Sequence, residues 1–207
     1  MTLSTKQILR KYFIMGSQNC KRDPLIILER AAKAGITAFQ FREKGEGSLT
    51  GKAKLVLGKQ LRDICREHNI PFIVNDDIEL VNPLEADGIH LGQDDRSVDE
   101  LRRMYPNKII GLSVSNRNEV ANSPIELVDY IGAGPVFSTN TKSDAKSAVG
   151  LEWITALRQH FPELPIVGIG GIQPDNAANV LEAGADGVSV ISAITDAPDI
   201  EQAVVSL

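Results

Sequence analysis

Pro71-Phe72-Ile73-Val74-Asn75-Asp76-Asp77 is the stretch on which the fold turns. Three apolar residues, two of them β-branched, run without alternation into an amide and two carboxylates. Such a run suits a strand buried on both faces, as in a parallel sheet. Carboxylates do not sit unpaired in that kind of core. The chain therefore leaves the sheet at Asn75, and Asp76 and Asp77 stand at the strand's C-terminal mouth. Hard oxygens presented there suit a magnesium ion and a phosphorylated substrate. The same two residues also suit the first turn of a following helix, and the stretch alone does not choose between these readings.

Working outward, the same kind of strand recurs. Tyr12 to Met15 and Ala38 to Phe41 precede it; Gly88 to Leu91, Ile109 to Leu112, Tyr130 to Ala133, Ile166 to Ile169 and Gly187 to Ile191 follow. Helical patterns separate them. A short helix is expected over residues 4–11. Asp23 and Pro24 start the next as N-cap and first turn, and Gly35 ends it. Further helices are expected at about Leu49 to His68, Ile78 to Leu84, Ser97 to Tyr105, Asn118 to Asn122, Leu151 to His160, Asn176 to Ala183 and Ile200 to Leu207. Glu100 stands where a capping box with Ser97 would put it. Strict alternation implies parallel strands and right-handed crossovers. Eight such units close into a (β/α)8 TIM barrel of the α/β class, one domain over residues 1–207 with the 4–11 helix as an extension. An open doubly wound sheet would carry its Gly-rich phosphate loop after the first strand. Gly16-Ser17-Gln18-Asn19 lacks that spacing, and the glycines gather instead after strands six, seven and eight.

Composition sets outer limits. With 207 residues, 43% hydrophobic and 24% charged, the chain suits one sizeable core. Its formal charge of 22 − 27 = −5 argues against a nucleic-acid footprint across the surface, while leaving room for a local anion pocket. No run reaches the length of a membrane-spanning helix, and Met1 to Met15 has no signal-peptide core. Cys20 and Cys65 form neither a metal-ligand spacing nor a disulfide framework, so a reducing cytoplasm is expected.

In a barrel the active site lies at the C-terminal strand ends. Gln40, Arg42, Glu43 and Lys44 come at or after strand two, with Gln40 and Arg42 sharing a side-chain direction. Then come Asn75, Asp76 and Asp77; Gln93, Asp94 and Asp95; Ser113; Thr139, Thr141 and Lys142; Gly168, Gly170 and Gly171; and Ser189, Ile191 and Ser192. Arg42, Lys44 and Lys142 beside Asp76 and Asp95 are what a magnesium–diphosphate complex needs. The seventh and eighth strand ends offer glycines, serine and backbone N–H groups without a cation, which suits a second phosphate. Transfer of an electrophile, with diphosphate leaving, follows. Each piece also has a plainer account: Arg42-Glu43-Lys44 as a solvated turn, Gly168-Ile169-Gly170-Gly171 as a packing turn, and the Lys142 loop as merely polar. His90 is better read as a satisfied structural histidine than as an acid or base. His68 and His160 end helices and suit the dipole there, and the cysteines and Trp153 pack.

Six motifs in order resemble the thiamine-phosphate synthase family. They are Gln40-Phe41-Arg42-Glu43-Lys44-Gly45, Val74-Asn75-Asp76-Asp77, His90-Leu91-Gly92-Gln93-Asp94-Asp95, the run Gly134 to Lys142, Gly168-Ile169-Gly170-Gly171-Ile172 and the run Gly184 to Ser192. The resemblance spans about residues 12–200. It implies a transferase on a (β/α)8 barrel that joins 4-amino-2-methyl-5-(diphosphooxymethyl)pyrimidine to a thiazole ethyl phosphate, through a pyrimidine cation, with magnesium as cofactor. By that resemblance Gln40, Arg42, Lys44, Asn75, Ser113 and Lys142 hold the pyrimidine diphosphate, and Arg42, Lys44, Ser113 and Lys142 are the catalytic candidates. Glu43 joins the substrate-binding set. Asp76 and Asp95 are the implied metal ligands, and Thr139, Thr141, Gly171, Ile191 and Ser192 the thiazole-phosphate contacts. Asp77 then keeps the structural role, a first-turn carboxylate for the helix at Ile78. The implied partners are small-molecule substrates, with no nucleic acid and no membrane; family habit leaves room for a homo-oligomer. The rivals are a thiazole tautomerase-like isomerase on the same fold and a non-catalytic phosphate-binding regulator. The joint presence of the two aspartates with Arg42, Lys44 and Lys142 argues against the first, and the intact Asp76/Asp95 pair against the second, because binding alone needs no activated leaving group.

Overall fold

A computed structural model describes residues 4–139, 141 and 147–207. Eight strands alternate with helices and turns: β1 (Lys11–Met15), β2 (Ala38–Phe41), β3 (Phe72–Asn75), β4 (Gly88–Leu91), β5 (Ile109–Val114), β6 (Tyr130–Ala133), β7 (Ile166–Ile169) and β8 (Gly187–Val190). Each pairs in parallel with its sequence neighbour, and β8 closes onto β1. The chain is a (β/α)8 barrel. The helices are α1 (Thr5–Ile8), α2 (Pro24–Ala34), α3 (Gly51–Glu67), α4 (Val98–Met104), α5 (Arg117–Ala121), α6 (Leu151–His160), α7 (Ala177–Glu182), α8 (Ser192–Thr195) and α9 (Ile200–Val205).

Strand period divides the core in two. Phe13, Phe39, Phe72, Val74, Ile89, Leu112 and Val188 point outward and pack under the helices. Tyr12, Ala38, Ile73, Tyr130 and Val167 point inward and fill the barrel's lower half. Ile8 and Leu9 join the inner set, so the N-terminal turn plugs the barrel floor. That explains the uninterrupted apolar strands: both faces are buried.

Several expected details differ. Ile78 to Leu84 is not a helix but a 3-10 turn at Ile78–Leu80 followed by turns. Pro83 in the middle has no N–H to offer and opposes helix propagation. Ser97 makes no capping bond at the start of α4; Glu100 pairs instead with Arg96 at 2.9 Å. Strand β5 runs on past Leu112, so Ser113 lies within it, opposite Gly132. The short α8 was not expected, because four residues carry too little periodicity to register.

Candidate active site

At the C-terminal ends of the strands lies a cavity of about 230 Å³. Arg42, Lys44, Asn75, Asp76, Asp95, Ser113, Thr139, Thr141, Gly171, Ile191 and Ser192 all line it. Lys142 lies outside the described residues. Gln40 and Glu43 are not in the lining. Glu43 points the opposite way from Arg42 and Lys44, as strand alternation requires. Its carboxylate accepts from Ser17 N–H at 2.7 Å, Ser17 Oγ at 2.5 Å and Leu49 N–H at 2.6 Å. Glu43 therefore ties the loop that carries its two neighbours, rather than facing a ligand. The Gln18 amide braces the same loop, donating to the carbonyls of Arg42 at 2.8 Å and Lys44 at 3.2 Å.

One half of the cavity is charged. Asp76 sits at φ 57, a left-handed conformation uncommon for a non-glycine residue and typical of constrained sites. Its N–H donates to the His90 carbonyl at 2.9 Å, which turns the chain sharply off the end of β3. Its Oδ2 accepts from Lys44 Nζ at 2.5 Å. Asp95 reaches in from the loop after β4, anchored by the Gly92 N–H at 2.6 Å. Burial pushes the Asp76 carboxyl up, but hydrogen bonds from Asp95 and Lys44 outweigh this and leave it below the ordinary range. Burial and the Asp76 carboxylate act together to raise Asp95. Burial draws the Lys44 ammonium down, and Asp76 and Asp95 more than restore it, so its net shift is upward. Two carboxylates this close favour either one shared proton or one bound cation. The Lys44 ammonium already resting on Asp76 shows that the position accepts positive charge. Among the described residues no group of three or more His, Cys, Asp or Glu side chains gathers around a common point. Two carboxylates fit magnesium, which keeps its remaining positions for water and substrate oxygens. Asp77, three atoms along the backbone, has a different role: it makes no capping bond to the Ile78 turn and instead pairs with Lys54 of α3 at 2.9 Å.

The other half is neutral and rich in hydroxyls. Thr139 Oγ1 donates to Thr141 Oγ1 at 3.2 Å, and Thr141 Oγ1 lies 3.4 Å from Ser192 Oγ. Gly171 has φ 64, and a Cβ there would stand 2.7 Å from the Ser138 carbonyl. Only glycine lets the loops after β6 and β7 close on each other, with Phe137 N–H donating to the Gly170 carbonyl at 3.0 Å.

The floor is a chain of polar side chains that sequence reading did not assemble. Gln40 Nε2 donates to Tyr12 OH at 2.8 Å, Tyr12 OH lies 3.0 Å from Tyr130 OH, Tyr130 OH lies 2.9 Å from His90 Nδ1, and His90 Nε2 lies 2.8 Å from Ser113 Oγ. His90 was expected to be a satisfied structural histidine; both ring nitrogens are engaged, and the ring also lines the cavity. The signal in sequence is indirect. Gly111 and Gly132 leave room for the rings, since a Cβ on Gly111 would fall 2.1 Å from Tyr130 Cζ and one on Gly132 3.1 Å from His90 Cε1.

Residues 11–194 match the family model described as thiamine monophosphate synthase. A thiamine-phosphate synthase of Oceanobacillus iheyensis is 63% identical over 199 residues, covering 96% of this chain and 97% of that protein. One from Streptococcus suis is 51% identical over 195 residues, covering 94% and 85%. Among solved structures, a thiamine phosphate pyrophosphorylase from Pyrococcus furiosus superposes with a TM-score of 0.86 at 33% identity, covering 98% of this chain and 95% of that one.

Proposed function

The chain belongs to the thiamine monophosphate synthase family, and from this premise we propose how its cavity divides the work of two substrates. The activity is that of a thiamine-phosphate synthase, a transferase that joins a pyrimidine carried on diphosphate to a thiazole phosphate. The charged half takes the diphosphate end, with Arg42 and Lys44 as its cations and Asn75 and Ser113 as neutral hydrogen-bonding partners; Lys142 is assigned to the same substrate by its match to the family motif alone. The hydroxyl half takes the thiazole phosphate on Thr139, Thr141, Ser192 and the backbone at Gly171 and Ile191. The observation that carries this division is the pairing of Lys44 with Asp76 at one end and the Thr139–Thr141–Ser192 hydroxyl cluster at the other.

Asp76 and Asp95 are proposed to hold magnesium. Bound between those two carboxylates, magnesium would supply positive charge that lowers the charge the leaving group must carry away. Arg42 and Lys44 extend that neutralisation with hydrogen-bonded cations. The carbon–oxygen bond breaks and its electron pair departs with diphosphate. The thiazole nitrogen then supplies the pair for the new carbon–nitrogen bond. That nitrogen carries no proton, so the cavity needs no general base, which suits a His90 whose ring nitrogens are both engaged. What remains for the protein is to hold the two ligands in line. Operation in the cytoplasm belongs to the same proposal and draws on the unpaired thiols of Cys20 and Cys65.

The test is a product assay on purified protein with both phosphorylated heterocycles and magnesium. Equal amounts of thiamine phosphate and diphosphate are expected. Lys44→Ala should lower kcat on the order of a hundredfold while the KM for thiazole phosphate stays within about twofold. A loss that appears instead in the thiazole-phosphate KM would contradict the placement of Lys44.

A further inference from the structure

We infer that Tyr12, Tyr130 and His90 are positioning residues forming a one-way hydrogen-bond relay that fixes the Ser113 hydroxyl as a donor into the cavity. The direction follows from counting protons along the chain. An amide nitrogen only donates, and a phenol has one proton to give. Gln40 Nε2 donates to Tyr12 OH, so the Tyr12 proton goes to Tyr130 OH, its other partner at 3.0 Å. Tyr130 has then accepted, and its own proton goes to His90 Nδ1 at 2.9 Å. Nδ1 is therefore bare, the neutral ring carries its proton on Nε2, and Nε2–H donates to Ser113 Oγ at 2.8 Å. With its oxygen occupied by that bond, the serine has its O–H left to point at a ligand. Ser113 lines the cavity.

The starting point is fixed by the cost of the alternative. Gln40 is 1% exposed, and its Oε1 is buried with no partner among the described residues. Turned over, the amide would bury a wholly unpaired NH₂ group in place of an unpaired carbonyl oxygen, the costlier arrangement. Burial also holds both phenols well above the ordinary tyrosine range, so each keeps the one proton the count assigns to it. The register supports the geometry: His90 stands opposite Gly111, and Gly111 opposite Tyr130. The missing Cβ at Gly111 is what lets the Tyr130 ring cross toward β4.

The inference rests on the proposed placement of the diphosphate substrate over Ser113, and the experiment separates the two. In ligand-free protein, the imidazole nitrogen-15 shifts of His90, assigned by difference against His90→Gln, should show a bare Nδ1 and a protonated Nε2. Tyr130→Phe should abolish that single tautomer. Any proton on Nδ1 in the unsubstituted protein overturns the relay, whatever the protein catalyses. In turnover, Tyr130→Phe should lower kcat on the order of tenfold, a part of what outright loss of an oriented donor costs. In a Ser113→Ala background the same substitution should change kcat by less than about twofold, because the group it orients is gone. An equal loss in both backgrounds also overturns the relay. Tyr12→Phe breaks the chain one link farther away and should give a smaller loss that likewise vanishes without Ser113; a loss that persists there counts against the relay.

Discussion

Glu43 illustrates what a single residue can and cannot disclose. Its neighbours Arg42 and Lys44 were legible as site residues because they carry charge at a strand end. Glu43 carries charge at the same place and serves the fold. The difference is one step of strand alternation, visible in sequence only if the strand's inward face is already known. Glu43→Gln should lower stability by about 1–2 kcal/mol, since three donors lose a charged acceptor. Urea unfolding would measure it, and the magnesium dependence of turnover should not move. Asp76 and Asp77 make the same point in adjacent positions: one aims into the cavity from a left-handed backbone, while its neighbour pairs with Lys54. The cysteines behave as packing groups. Burial pushes the Cys20 thiol up to about 12, with the nearby Glu43 carboxylate adding to it, and burial raises Cys65 as well. A raised thiol pKa keeps the reactive thiolate scarce at pH 8. Neither cysteine should react with iodoacetamide at that pH in the folded protein, and both should after unfolding; mass spectrometry of the alkylated protein would count them.

At the scale of elements, the barrel is tied along its lower rim by a repeated device. Asp87, Asp129 and Asp186 each precede an even-numbered strand. Each carboxylate accepts the N–H of a residue at the start of the strand before it: Phe72 at 2.8 Å, Ile110 at 2.8 Å and Ile166 at 2.9 Å. Each also meets an arginine from the helix that leads into that same earlier strand: Arg62 of α3, Arg102 of α4 and Arg158 of α6. Asp129 carries no motif that marks it in the sequence. Its role needs the strand pairing to be seen, because both partners are distant along the chain. Asp186→Ala would leave the Ile166 N–H without its side-chain acceptor and the part-buried Arg158 guanidinium without its carboxylate, though with its backbone carbonyl acceptors, and should cost about 2–4 kcal/mol. Arg66→Ala, which breaks an exposed pair with Glu85, should stay within about 0.5 kcal/mol. Comparable losses from the two substitutions would contradict the difference in burial. Gly111→Ala belongs at this scale too. A methyl group 2.1 Å from Tyr130 Cζ forces strand or ring to shift, and a loss of roughly 1–3 kcal/mol is expected.

At the scale of the molecule, the closed eight-stranded barrel was legible because each strand is short, apolar and bounded by its own turn. Helix ends and short helices were less so, since Pro83 cut one pattern and four residues were too few to mark α8. The cavity lining was legible where residues fall at successive strand ends, because the fold brings those ends to one mouth. The floor was not. Gln40, Tyr12, Tyr130 and His90 come from four strands and point inward at depths that only the closed barrel sets. The account's central claim is that one cavity has a metal-dependent half for the diphosphate and a metal-independent half for the thiazole phosphate. Calorimetric titration of each substrate, with and without magnesium, tests it most directly on the unsubstituted protein and on Asp95→Asn. The account predicts that the pyrimidine diphosphate binds at least tenfold more tightly with magnesium, that Asp95→Asn abolishes this gain, and that thiazole phosphate binds alike in all four conditions. Thiazole-phosphate binding that needs magnesium, or diphosphate binding indifferent to both the ion and Asp95, would contradict it.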